Sequence, residues 1–175
     1  MFKKQSGAVL IISLITLIIL TLLVVSGSQS TLVQNKMTSA IRDTHVSLQI
    51  AESGVRDAEK LIEALTGLSE FTSSQGINGK YSENAGPSNP FLEEIWGSDL
   101  TSRVATTEVS GHLSRYFIEY LGLLSVEDNP LGTNVTGYGK TSGSGDIHGF
   151  KIVARSVGRD GNTERIIVSY YGKRF

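Results

Sequence analysis

The string that most resembles a ligand-binding motif is Gly137-Tyr138-Gly139-Lys140-Thr141. A phosphate-binding loop of the P-loop type requires another glycine five positions before the Gly-Lys pair and a strand leading into the loop. Asn134 occupies that position, and no buried strand precedes it. The string therefore favours a plain glycine-rich loop over nucleotide binding. Asn134 also begins an Asn-Val-Thr triplet, which matches an N-glycosylation acceptor but is too short and common to carry weight.

The positions of the histidines do not support a zinc site or a catalytic triad. A zinc site needs ligands at short, regular intervals. The chain has three histidines, which lie far apart: His45, His112 and His148. Ser144 and Asp146 are close to His148 in sequence, but a Ser-His-Asp triad depends on a geometry that nothing in this segment indicates. The sequence therefore predicts no metal, no cofactor and no enzymatic activity.

Charge and cysteine content narrow the possible functions further. The chain has 16 basic and 17 acidic residues, and this net charge of -1 gives no basic excess with which to neutralise phosphates. We therefore predict no nucleic-acid partner, and no small-molecule substrate. The acidic residues Glu93, Glu94 and Asp99 are interpreted as a solvated face rather than a calcium site. The absence of cysteine rules out disulfides and thiol chemistry.

The most distinctive segment is an apolar run, AVLIISLITLIILTLLVV, over residues 8–25. Its polar interruptions are Ser13, Thr16 and Thr21, whose hydroxyl groups can bond back to helix carbonyls. As a helix the run would be about 27 Å long, close to the thickness of a bilayer's hydrocarbon core. It predicts a membrane-spanning helix rather than a buried helix of a soluble protein.

Two processing sites are compatible with the flanking residues. Lys3 and Lys4 precede the apolar run, which keeps the N-terminus cytoplasmic and places the rest of the chain across the membrane. An ordinary signal peptide would be cut after the run, where Ser26-Gly27-Ser28 offers small residues. The alternative is a cut between Gly7 and Ala8, which leaves the apolar helix on the mature protein.

The helix is predicted to continue well beyond the apolar run. Residues 30–65 contain no proline and a single glycine, Gly54, and Ser26-Gly27-Ser28 is at most a soft point. An apolar stripe at helical spacing indicates one face of a helix, and we expect its half after Ile41 to pack on the chain's own core. Its members are Ile41, Leu48, Val55 and Ile62, with Thr44, Ala51, Ala58 and Leu65 between them. Glu52 and Arg56 have the favoured spacing of a helical ion pair. We expect one helix from Ala8 to about Leu65, with Gly67 as its C-cap.

At this point the chain resembles a known family. The start KKQSGAVLIISLITLIILTLLVV is similar to a type IV prepilin leader and stalk. The pairs Arg42-Asp43 and Ala51-Glu52, followed by Arg56-Asp57-Ala58-Glu59, resemble the pattern of PilX-type minor pilins. Two later stretches are also similar to that family, residues 115–122 and 150–171.

The resemblance implies specific roles for the N-terminal residues. A prepilin peptidase would cut after Gly7 and N-methylate Ala8. Most pilins carry glutamate as the fifth residue of the mature chain, whereas this chain has Ile12. Without that carboxylate the subunit is expected to polymerise poorly with itself, as suits a minor or initiating subunit. The type II secretion pseudopilin that caps the tip also lacks this glutamate, so such a pseudopilin is an alternative. A further, less favoured alternative is a membrane-anchored periplasmic binding module or enzyme.

The predicted fold is α+β, with a long N-terminal helix packed on a small antiparallel sheet. Four regions are expected: a leader at 1–7, a transmembrane and filament-core helix at 8–28, an amphipathic stalk at 29–66 and a loop-rich periplasmic head at 67–175. In the head we predict loops, a short helical turn and strands, with a hairpin formed by the last two strands. Their predicted ranges are 67–90 and 132–149 for loops, 91–96 for the turn, 108–121, 150–157 and 165–171 for strands, and 159–162 for the hairpin turn.

The expected function is that of a non-catalytic minor pilin which helps to prime or cap pilus assembly and supports adhesion or motility. Its expected partners are the prepilin peptidase, other minor pilins, the major pilin and, before assembly, inner-membrane lipid. The helix would sit in the inner membrane with the head in the periplasm, and the subunit would later join the filament or its tip.

Overall fold

The computed structural model describes residues 6–124, 146–159, 161 and 163–175. The chain divides into two compact units, Met1–Arg42 and Asp43–Phe175. The described elements, in chain order, are α1 (Ser6–Ala64), β1 (Lys80–Tyr81), α2 (Glu93–Trp96), β2 (Arg103–Val104), β3 (Arg115–Leu124), β4 (Ile147–Val157) and β5 (Glu164–Arg174). The architecture is the α+β arrangement that the sequence predicted.

Helix α1 runs for 59 residues without interruption. The prediction of one long helix is confirmed, with both ends within two residues of the expected positions. Ser26-Gly27-Ser28 does not break it, and Thr31 Oγ1 donates to the Gly27 carbonyl at 3.1 Å within the continuous helix. The predicted ion pair between Glu52 and Arg56 is present at 3.8 Å on the exposed surface.

The helix ends differently from the prediction. We expected Gly67 to cap it, but α1 ends at Ala64 and Gly67 does not adopt a positive φ. The Nζ of Lys173, on β5, instead donates to the carbonyls of Ile62, Glu63 and Leu65 at 2.8, 2.7 and 2.5 Å. A lysine placed over the last carbonyls of a helix satisfies their unpaired oxygens and favours the negative end of the helix dipole.

The stripe was expected to pack on the core in the half after Ile41; this is correct from Ala51 onward and wrong at Leu48. Val55 and Ile62 are buried, whereas Ile41 is 54% and Leu48 39% exposed. A row of residues seven apart drifts around a straight helix by about 20° per heptad, so the stripe leaves the buried face. The buried face includes small residues that the stripe did not contain, namely Ser47, Ser53 and Gly54.

The sheet has the order β1-β3-β4-β5, with β2 paired to β3 beside this path. β1 is parallel to β3, and all other pairings are antiparallel. The predicted hairpin of the last two strands is confirmed, because β4 and β5 pair without a register shift from Val157↔Glu164 to Ile147↔Arg174. Of its predicted turn, Arg159 and Gly161 are described, while Asp160 and Asn162 lie outside the described residues.

Two predicted segments need correction. The strand expected from Glu108 begins only at Arg115, because Ser110 and Gly111 have φ of 53° and 81° and make a tight turn between Val109 and His112. The loop expected up to Gly149 is wrong at its last three residues, because β4 starts at Ile147. The rest of that loop, with the glycine-lysine string, the Asn134 triplet and Ser144, lies outside the described residues.

The sheet of the second unit carries a hydrophobic cluster on each face. The inner face packs on α1 through a cluster that includes Ile62, Ile118, Phe150 and Ile152. The outer face is covered in part by the segment between α1 and β3, whose Tyr81, Ile95 and Trp96 pack with Phe117 and Val153. The end of α1 is therefore part of the core of the second unit.

Candidate assembly surfaces

The predicted processing residues lie in the first turns of α1. Gly7 and Ala8 are exposed, and Ile12 is 60% exposed. Every large aliphatic side chain from Val9 to Val25 is between 49% and 71% exposed. Burying one such side chain is worth roughly 1.5–3 kcal/mol, so leaving the whole run in water would cost tens of kcal/mol. This surface requires a lipid or protein environment.

The polar interruptions of the run are satisfied within the helix. Ser13 Oγ donates to the Leu10 carbonyl at 2.8 Å, Thr16 Oγ1 to the Ser13 carbonyl at 2.9 Å, and Thr21 Oγ1 to the Leu17 carbonyl at 2.7 Å. The expectation that these hydroxyls bond back to the helix is confirmed. Among the described elements, one helix is long and apolar enough to cross a membrane, Gly7–Ala64. It fits a single-pass membrane anchor.

Asp57 fixes the segment before β3 to the helix of the second unit. Its Oδ2 accepts bonds from the Thr106 and Thr107 amides at 2.8 and 2.6 Å and from Thr106 Oγ1 at 2.9 Å. Its Oδ1 accepts from Thr107 Oγ1 at 2.7 Å and from Lys60 Nζ at 3.3 Å. Burial works to raise the pKa of this carboxyl, but the bonds from Thr107, Thr106 and Lys60 together outweigh it and lower the pKa to about 2.

Small residues let the helix and the sheet approach closely. Gly54 faces Ser114 and Ala154, and a methyl group at Gly54 would collide with the Ser114 side chain. Ser156 Oγ donates to the Ser47 carbonyl at 2.5 Å on the same face. The single glycine of residues 30–65 thus marks a close approach between the helix backbone and the residues at the start of β3 and on β4, which the sequence alone did not reveal.

Two further polar contacts tie the ends of the helical face to the hairpin. The Arg159 amide donates to Asp43 Oδ1 at 2.9 Å, and Tyr171 Oη donates to Glu63 Oε1 at 2.8 Å. The bond to Glu63, with burial and the nearby negative charge, raises the pKa of Tyr171. The helix of the second unit is therefore bound to the hairpin at both ends.

The three acidic residues expected to form a solvated face are all exposed, and two of them, Glu93 and Asp99, also pair with arginines. Arg155 makes a bidentate pair with Glu93 at 2.8 and 2.9 Å and lies over the Trp96 ring at 5.8 Å. Its hydrogen bonds and charge lower the pKa of Glu93. Asp99 pairs separately with Arg115 at 2.5 Å. These side chains hold α2 and the loop after it against the sheet.

The three histidines lie on three different parts of the fold. His45 lies on α1, His112 in the turn before β3, and His148 on β4. His148 Nδ1 and Tyr120 Oη are 2.8 Å apart, at hydrogen-bond distance. Asp146 is exposed just before β4. Within the part of the chain that the structure describes, no three acidic or histidine side chains are grouped as metal ligands would be.

Comparison with known families agrees with the fold and its exposed helix. A family model described as PilX N-terminal matches residues 6–56, and one described as type IV pilus assembly protein PilX C-term matches residues 46–173. Comparisons with curated proteins and with solved structures gave no match. The family assignment favours the pilus over the secretion pseudopilin that the sequence left open. The chain belongs to the PilX family of type IV pilus minor pilins, which are structural components of the pilus.

Proposed function

We propose that this subunit primes or caps pilus assembly and thereby supports pilus-dependent adhesion or motility, without catalysis and without a cofactor. The observation that carries the proposal is the exposed apolar helix, which has Ile12 where most pilins have glutamate. A helix of this kind exchanges lipid for neighbouring helices when it enters a filament. Apolar side chains gain little free energy from that exchange, so helix packing must supply the affinity.

Ile12 is the reason for proposing that the subunit lies at an end of the filament. In a major pilin, the glutamate at this position is thought to meet the N-terminal amine of the neighbouring subunit. An aliphatic side chain cannot form that ion pair, so each repeated contact between copies of this chain would lack it. Other minor pilins and the major pilin are therefore the proposed neighbours, rather than further copies of this chain.

Processing at Gly7 would create the mature subunit. A prepilin peptidase would cut between Gly7 and Ala8 and methylate the new amine, which removes Lys3 and Lys4 with the leader. The proposed organisation keeps residues 8–28 in the inner membrane, 29–66 as the stalk and 67–175 as the periplasmic head. After assembly, the subunit would lie in the filament or at its tip.

The testing experiment is mass spectrometry of the N-terminal peptide from the native host, together with a Gly7→Ala variant. We expect an N-methylated Ala8 in the wild type, a full-length precursor in the variant and reduced piliation. A Ser6→Ala variant, one residue away, serves as the matched control and should be processed normally. A mature chain that starts near Gln29, or normal processing of Gly7→Ala, would overturn the cleavage assignment. Wild-type piliation and motility after deletion of the gene would overturn the assembly role.

A further inference from the structure

An open cleft of about 330 Å³ lies beside β2 in the second unit, lined by Asn78, Asp99, Arg103 and Val104. The half-buried Arg103 guanidinium makes no hydrogen bond and no ion pair with any described residue. Arginine side chains that are taken out of water usually have a partner, because desolvating an unpaired charge is costly. The cleft therefore holds a positive charge that is available to a ligand.

The Asn78 side of the cleft is a fixed two-residue turn. Asn78 and Gly79 have φ of 51° and 72°, and the backbones of Ile77 and Lys80 exchange two hydrogen bonds of 3.0 Å across them. This is the geometry of a type I′ turn, for which Asn-Gly is a favoured sequence. A methyl group at Gly79 would lie 2.9 Å from the Arg103 backbone nitrogen, so the turn is pressed against β2. The two sides of the cleft are therefore held in place before a ligand arrives.

The acidic residue that lines the cleft already has a partner. Asp99 pairs with Arg115 Nη2 at 2.5 Å. Lys80, which is buried near Arg103, pairs with Glu70. Burial and the nearby positive charge of Arg103 lower the pKa of Lys80, so the two cations repel each other. A carboxylate that enters the cleft would gain an ion pair with Arg103 and relieve this repulsion.

Exposed apolar side chains accompany the charge. Ile77 and Leu100 each adjoin a lining residue in the chain, Val104 lines the cleft itself, and the three are 49%, 62% and 37% exposed. The Gly79 amide donates to the Leu100 carbonyl at 3.0 Å, so the segments that carry Ile77 and Leu100 touch. A small anion would leave these side chains in water, whereas a protein segment would cover them. An arginine among apolar contacts is typical of the centre of a protein interface.

The free donors of the cleft match a carboxylate. A guanidinium donates two parallel hydrogen bonds to the two oxygens of that group. The exposed Asn78 amide makes no side-chain hydrogen bond with a described residue and adds a neutral donor at the rim. We propose that this cleft binds a glutamate or aspartate side chain of a partner protein, carried on an apolar segment, with Arg103 as its ion-pair partner. The proposal concerns the second unit alone and holds whether or not Gly7 is a cleavage site.

The test measures binding of a defined peptide to the full-length chain in detergent micelles, with empty micelles as the blank. The labelled probe has blocked ends and one glutamate between two leucines, and the matched control has glutamine in place of the glutamate. We expect saturable binding of the glutamate peptide by fluorescence anisotropy, at least about tenfold tighter than the glutamine peptide at low salt. The Nε–H signal of Arg103 in the NMR spectrum should shift with the same dependence on peptide concentration.

Three variants separate recognition of the carboxylate from general attraction to positive charge. Arg103→Gln should remove the difference between the two peptides, and Arg103→Lys should restore only part of it, because an ammonium group cannot form the two parallel bonds. Arg165→Gln changes an exposed arginine on β5 that does not line the cleft, and it should bind like the wild type. The urea midpoint of Arg103→Gln, followed by Trp96 fluorescence, should not fall, because Arg103 has no ion pair with a described residue to lose.

Several results would overturn the proposal. Equal binding of the two peptides, or a preference for glutamate that survives Arg103→Gln, would show that Arg103 does not recognise the carboxylate. A lower urea midpoint for Arg103→Gln would make the residue part of the fold instead. Acetate or phosphate that shifts the Arg103 signal as tightly as the peptide does would identify a small-anion site. A signal that shifts with the concentration of the chain itself, before any peptide is added, would identify a second copy as the occupant.

Discussion

Replacing Asp57 with asparagine tests how strongly the loop before β3 is held to the helix. The Asp57 carboxylate accepts four hydrogen bonds from Thr106 and Thr107 and a fifth from Lys60. An asparagine side chain keeps one acceptor oxygen and presents an NH₂ group where the other oxygen was. That group would face the donors of the threonines, leaving buried polar atoms without partners.

The expected magnitude follows from the pKa of Asp57. Its value falls from 3.8 to about 2 on folding, and each pKa unit corresponds to about 1.4 kcal/mol, so ionisation contributes about 2.5 kcal/mol. Because the folded-state pKa is the lower one, this stabilisation is complete above the unfolded value of 3.8. It is lost as the pH falls from there through about 2. The variant should therefore lose about 2–3 kcal/mol of unfolding free energy at pH 7 and much less near pH 2.

The assay is urea unfolding of the full-length chain in detergent, followed by the fluorescence of Trp96. This is the chain's single tryptophan, and it is buried in the cluster on the outer face. Glu52→Gln is the matched control, because Glu52 lies on the exposed side of the same helix and should change stability by less than about 0.5 kcal/mol. A loss for Asp57→Asn that is below 1 kcal/mol, or that is the same at pH 7 and pH 2, would refute the role given to the carboxylate.

Three further changes probe the helix end, the helix–sheet contact and the filament interface. Lys173→Met should cost about 1–2 kcal/mol of unfolding free energy, because three carbonyls lose a charged donor, and urea unfolding measures it. Gly54→Ala should cost about 1–3 kcal/mol through overpacking, and a second change, Ser114→Gly, should restore part of the loss in a double-mutant cycle. Ile12→Glu should increase incorporation of the subunit along purified pili, as measured by quantitative immunoblotting, whereas Ile12→Leu should leave it unchanged.

The sequence predicted the elements whose signals are local. The apolar run and the proline-free continuation after it are sufficient for α1, because helix propensity and lipid solubility depend on residue type alone. The β4–β5 hairpin could also be predicted from the sequence, since two apolar runs rich in β-branched residues flank the turn residues Arg159 and Gly161. The prediction of a strand over residues 108–114 was wrong because it relied on the same kind of local signal. The apolar residues of this segment look like a strand, but the positive φ of Ser110 and Gly111 turns the chain there.

Contacts between residues that are distant in the chain could not be predicted from the sequence. Asp57 belongs to a repeated acidic pattern on the helix, and nothing in that pattern shows that this carboxylate turns inward to meet Thr106 and Thr107. Lys173 likewise resembles any basic residue near a C-terminus, although it caps a helix that ends more than 100 residues earlier in the chain. Such pairings depend on how the helix rotates against the sheet, and the seven-residue stripe assigned that rotation incorrectly at Leu48.

The chain has no cysteine, so the second unit relies on charged anchors where many small domains use disulfides. Glu119, on β3, is buried and accepts hydrogen bonds from the Gly86 amide and from Lys151 on β4. These bonds fix the middle of the long segment between α1 and β3 to the sheet. Asp57 fixes the end of that segment to the helix through Thr106 and Thr107. Removing one partner of a buried charge costs more than removing an exposed pair, because the remaining charge stays desolvated. The anchors therefore give the second unit a defined arrangement of loop, helix and sheet without any covalent cross-link.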